Sequence, residues 1–234
     1  AGKTTLLRAL ANEIPPHERL VTIEKSLELG LDRFERLHPD CVALEAREAN
    51  TEGEGAIGMS ELVRRGLRMD PDRVIVGEVL GDEVIDMLNA MSQGNEGSLC
   101  TIHANSSDGV FRRICSYAIQ SAERLPVEAT NLLVAGAVDL VVFIDQVDER
   151  HVGGDLRRFV GSVREVVGAE GTTIVSRQVF RPASATDRRA VPGEQPACLD
   201  DLRRVGYDPR LFRRARGWWD EPVRLAREPR RDGS

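Results

Sequence analysis

A chain of 234 residues, 41% hydrophobic and 30% charged, has room for a buried core and the composition of an ordinary globular protein. Its net charge of −6 argues against a dedicated nucleic-acid binder, and no run of roughly 18 or more apolar residues offers a membrane-spanning helix. Cys41, Cys100, Cys115 and Cys198 show no CxxC spacing and read as reduced, packed thiols of a cytosolic protein.

In chain order, good helix formers over 4–13 predict a helix that Pro15 and Pro16 stop. Residues 19–24, "RLVTIE", and 42–47, "VALEAR", read as short strands. "SELVRRGLRM" reads as a helix capped by Ser60, with Leu62, Val63, Leu67 and Met69 at helical spacing. The continuous apolar run Val74–Val76 predicts a strand buried on both faces. A helix over 82–91, the strand "GSLCTIHA" and helices over 108–120 and 126–137 follow, then a strand over 139–144. Strands alternate with helices up to Ile144, which predicts a mostly parallel α/β sheet. Residues 159–167 and 172–180 read as a C-terminal β-hairpin around "GAEG". The organisation expected is a domain over 1–180, a Pro-, Ala- and Arg-rich linker over 181–197, and a short helical tail over 198–234. That tail carries Trp218-Trp219 and ends in charged, disordered sequence.

The opening "AGKTTLLRAL" has the form of the second half of a phosphate-binding loop running into a helix. Gly2 lets backbone approach phosphate oxygens, and Lys3 reaches the β- and γ-phosphates. A hydroxyl, best placed on Thr4 with Thr5 beside it, holds Mg²⁺. The helix N-terminus turns its amides to the anion. The plainer reading is an amphipathic helix with a surface lysine.

Three later segments carry further candidates. Glu24 ends an apolar strand and Glu28 follows shortly; a carboxylate there can position an attacking water, or both can be solvated loop residues. Gly77-Glu78 ends the buried strand, delivering a carboxylate to the sheet edge where α/β proteins bind ligands. The alternative is that Glu78 caps the helix beginning near Asp82. "GSLCTIHANS" places His103 at another strand end, able to sense a γ-phosphate or to serve as a satisfied structural histidine. Arg47, Arg64, Arg65 and Arg68 are candidates for an arginine acting across a subunit boundary; for each singly, a solvated or salt-bridged role is the simpler one.

These boxes in this order resemble the secretion ATPases of type II and type IV systems, most nearly the CpaF-like branch of Flp/Tad pilus assembly. The resemblance rests on "AGKTT", "IEKSLEL", "RMDPDRVIVGE" and "GSLCTIHANS", and covers roughly residues 1–180. It implies a RecA-like P-loop NTPase domain working in a homo-hexamer. It implies ATP and Mg²⁺ as cofactors, with Lys3 and Thr4 in Walker A, Thr4 and Glu78 at the metal, Glu24 and Glu28 as acidic box and His103 as histidine box. It also implies a place at the cytoplasmic face of the inner membrane, with a membrane platform protein as partner and no nucleic acid. Lys25 stands where the family's acidic box has Asp, Leu80 where Walker B is followed by Arg, and Asn95 where His is frequent. The chain starts inside the loop and without Met, so it reads as part of a longer protein. The full-length parent is expected to hydrolyse ATP, and the 234-residue piece alone to be inactive, binding it poorly or not at all. A DNA-translocating ring ATPase and a non-catalytic truncated interaction module are the competing readings.

Overall fold

The computed structural model describes residues 2–153 and 155–214. Four parallel strands form the first sheet: β1 (Leu20–Glu24), β2 (Cys41–Glu45), β3 (Arg73–Val79) and β4 (Leu99–Ile102), in the order β2-β1-β3-β4. Helices α1 (Lys3–Ala11), α2 (Met59–Leu67), α3 (Glu83–Ser92), α4 (Gly109–Gln120) and α5 (Val127–Ala137) precede or link the strands and follow the last of them.

The apolar runs are continuous because the sheet is covered on both faces. Val21, Ile23, Val74 and Val76 point to one side, into a core shared with Leu62 and Val63 of α2, Leu88 of α3, Ile114 of α4 and Val134 of α5. Leu20 and Ile75 point to the other, against Leu7 and Ala11 of α1 and Leu29 and Leu31 of the following loop. β1 is consequently buried at all five positions.

The second sheet is antiparallel: β5 (Leu140–Asp148), β6 (Leu156–Glu170), β7 (Thr173–Pro182) and β8 (Ala190–Pro192), paired in that order. This corrects the place expected for the strand at 139–144. A strand following a helix looks like one more βαβ unit, yet β5 pairs along its whole length with the next strand in sequence. Val141, Val166 and Ile174 lay part of this sheet against the main core. Among the described residues β4 and β5 are not hydrogen-bonded to each other. A groove of about 250 Å³ runs between them, lined also by Leu6, Leu7 and Leu10 of α1.

Two local expectations change. Ser60 is not the cap of α2: Gly58 precedes the helix, Ser60 lies inside its first turn, and its hydroxyl is buried without a partner. Within 181–197, whose composition reads as linker, β8 extends the sheet; Pro192 is tolerated because it ends an edge strand. The tail forms α6 (Leu199–Arg204) and α7 (Pro209–Arg214), and Phe212 packs edge-on to Phe180 at 5.3 Å. Trp218-Trp219 lies outside the described residues. No helix among the described residues is long and apolar enough to cross a membrane.

Candidate functional site

At the carboxyl edge of the parallel sheet, three side chains meet. Lys3 opens α1, Glu78 lies near the end of β3, and His103 follows β4 directly. Lys3 Nζ is 3.5 Å from Glu78 Oε1, and His103 Nε2 is 2.8 Å from the same oxygen. Lys3 Nζ also lies 3.2 Å from His103 Nδ1 and 3.1 Å from Nε2. An ammonium only donates, so the arrangement that satisfies all three has Nε2–H donating to Glu78 and the Nδ1 lone pair accepting from Lys3. Side-chain exposures of 22%, 36% and 65% for Lys3, Glu78 and His103 leave the cluster open to a ligand, and give its ion pair little stabilising value.

The backbone around the cluster is shaped for it. Gly2 takes the left-handed conformation at φ 88°, which glycine adopts without steric cost. Its carbonyl accepts the first hydrogen bond of α1, from Leu6 N–H. The amides of Lys3, Thr4 and Thr5 therefore have no acceptor within the helix, and they point where an anion would sit. Thr4 is half-buried and Thr5 exposed, and neither hydroxyl has a hydrogen-bond partner among the described residues.

Glu78 owes its position to an interruption in the ladder. The β3–β4 register shifts between Val76 and Val79, and Thr101 Oγ1 donates to the Gly77 carbonyl at 2.6 Å across the gap. At the start of α3 the N-cap is Asp82, and the buried carboxylate of Glu83, the first helical residue, accepts from the N–H groups of Leu80 and Gly81. Glu78 is thereby left to face Lys3 and His103.

The remaining candidates do not join this cluster by direct contact. Glu24 is 3% exposed and sits beside Gly77, where a Cβ would lie 2.9 Å from its Cγ. Its Oε1 accepts from Glu28 N–H and Leu29 N–H, each at 3.0 Å, while Oε2 is buried with no partner. Burial pushes its carboxyl above the ordinary value of 4.5, against those two N–H bonds, which pull it down. The Glu28 side chain is exposed; its contribution here is the backbone N–H. Arg47 is exposed, bridges Ile57 through its backbone and lays its guanidinium beside Gly55. A separate open cleft of about 600 Å³, lined by Asp108, Arg112 and Arg164 among others, holds none of the candidates.

Sequence reasoning missed Thr101 and Glu83. A hydroxyl in mid-strand and a glutamate two residues after Gly81 carry no signal until the register shift at Gly77 is seen.

A lysine at a helix N-terminus, facing a strand-end carboxylate and histidine on a parallel α/β sheet, is an arrangement that can hold an anion at the sheet's carboxyl edge. Residues 1–179 match the family described as Type II/IV secretion system protein, and the chain belongs to it. A putative conjugal transfer protein of Mycobacterium tuberculosis is 39% identical over 170 residues, covering 71% of this chain and 46% of its own length. The type IV secretion system protein PtlH of Bordetella pertussis is 38% identical over 162 residues, covering 68% and 45%. The chain thus spans about half the length of the curated relatives it matches. The crystal structure of the VirB11 ATPase from the Brucella suis type IV secretion system, in complex with sulphate, superposes with a TM-score of 0.55 at 33% identity. That match covers 67% of this chain and 43% of that one. The Legionella pneumophila ATPase DotB agrees in fold, with a TM-score of 0.50 at 21% identity over 68% and 42%. The α/β fold with a parallel central sheet and a C-terminal hairpin stands as expected.

Proposed function

We propose that the whole protein to which this chain belongs hydrolyses ATP to drive pilus assembly or protein secretion across the bacterial envelope. The observation that carries this is the meeting of Lys3, Glu78 and His103 at the N-terminus of α1. The cluster fits a nucleotide: a cation, a glycine without a Cβ and unsatisfied helix amides suit a phosphate tail. Mg²⁺, held largely by phosphates and water, would supply charge neutralisation there.

Lys3 binds the phosphates, leaving Glu78 for His103. Thr4 is the residue whose hydroxyl would hold Mg²⁺. Glu78 orients His103 through Nε2–H and has an open face from which to polarise a water. Glu24 acts from behind this layer: its buried carboxylate fixes the chain from Glu28 to Leu29 and props Gly77 beside Glu78. Arg47, exposed and away from the cluster, would act on the site of a neighbouring subunit in a homo-hexamer. The finer reading is the CpaF-like branch, at the cytoplasmic face of the inner membrane with a platform protein as partner.

Phosphate release and binding of a fluorescent ATP analogue by the full-length protein test this reading. Lys3→Ala is expected to abolish both, and Glu78→Gln to abolish release while binding survives. Release that persists in both variants would overturn it.

A further inference from the structure

The β5–β6 hairpin brings a cation to the phosphate loop that no sequence box anticipates. On β6, opposite Gln146 of β5, Arg158 lies over Gly2: its Cδ is 3.2 Å from where a Cβ on that glycine would stand. Gly2 is the residue whose left-handed backbone turns into α1, directly before Lys3.

The arginines around it are engaged. Arg157 pairs with Glu149, Arg150 with Asp148, and Arg188 with Asp145. Arg158 is exposed and has neither a hydrogen bond nor an ion pair among the described residues. An unpaired guanidinium offers a rigid fork of donors that matches phosphate oxygens two at a time, where Lys3 offers a point charge. It stands against Gly2, which has no side chain to hold it off.

We propose that Arg158 is a second phosphate-binding residue of the nucleotide site, contributed by the antiparallel sheet. This rests on the nucleotide reading above.

The test uses the full-length protein with ATP and ADP as probes. Arg158→Gln is expected to weaken ATP binding about tenfold to a hundredfold, the range for one lost charge-assisted pair. Arg158→Lys should recover part of the loss, and Arg157→Gln should leave binding unchanged. Hydrogen exchange of the wild-type protein supplies a readout independent of any variant: amides of residues 156–160 should gain protection when ATP is added. Lys3→Ala that loses binding while Arg158→Gln retains it, with no protection of β6, overturns the role of Arg158 and leaves the nucleotide site standing. Binding unaffected by either Lys3→Ala or Arg158→Gln removes the nucleotide reading itself.

Discussion

Both sheets bury a glutamate that holds two successive backbone amides, and the two glutamates are pushed in opposite directions. In the parallel sheet Glu24 receives the N–H groups of Glu28 and Leu29 on a single oxygen, leaving the other with nothing. Burial wins and its carboxyl is raised. In the antiparallel sheet Glu165, 4% exposed, spends both oxygens: Oε2 accepts from Ala197 N–H at 2.6 Å and Oε1 from Cys198 N–H at 2.8 Å. Burial raises it too. The two N–H bonds, the Cys198 thiol and the Arg177 charge together outweigh that and hold it below 4.5. The cost falls partly on the neighbour, since burial and then Glu165 push the Cys198 thiol up to about 11. A fully satisfied buried carboxylate fastens structure, here the start of α6 to the hairpin. One with a spare oxygen carries the cost of burial instead, as the raised carboxyl of Glu24 does.

The largest effect should come from breaking the satisfied one. Glu165→Ala removes two charge-assisted bonds and leaves two amides unpaired, and should cost about 2–4 kcal/mol in urea unfolding. A loss under about 1 kcal/mol would mean that the tail is not fastened there. Next comes Gly77→Ala, whose new Cβ meets the Glu24 side chain at 2.9 Å; the expected cost is about 1–3 kcal/mol. Adding Glu24→Ala should relieve part of it, so the double variant will be less destabilised than the sum of the two. Strict additivity would show that the clash is relaxed elsewhere.

Acidity separates the pair more finely. Glu24 has a raised native pKa, so its contribution is complete below about 4.5 and is lost as pH rises through the native value. Glu24→Gln, which does not titrate, should therefore gain on the wild type in melting temperature between pH 4.5 and 7.5. Glu165 has a depressed native pKa, so its contribution is complete above about 4.5 and is lost as pH falls through the native value. The deficit of Glu165→Gln should be constant near neutrality and shrink in acid. Slopes of the same sign in both variants would erase the contrast. The smallest effect is expected at the open cluster: Lys3→Ala and Glu78→Gln should each shift stability by less than about 1 kcal/mol, because their ion pair is solvated. A larger change would make that cluster structural.

Much of this could be read along the chain. Every helix and strand of the parallel layer follows from apolar runs and turn residues, and Lys3, Glu78 and His103 stand out because each lies at or beside the end of an element. What could not be read is whatever depends on a partner distant in sequence. Glu24 shows as a strand-end carboxylate, but its burial beside Gly77 of the neighbouring strand, and its unpartnered Oε2, appear only in the fold. Glu165 carries no local signal, since the amides it holds are 32 and 33 residues away. β5 follows a helix as a parallel strand would, and only its partner reveals the sheet. Arg158 is masked by composition: in so arginine-rich a chain, one more on a strand gives no contrast.

The contact between Gly77 and Glu24 also limits how the molecule can vary. Any side chain gained at 77 meets Glu24 at 2.9 Å and forces one of the two to shift. A shorter residue at 24 leaves the loop amides of Glu28 and Leu29 unclaimed and a hole beside the strand. A library randomised at both positions should therefore return them as a linked pair.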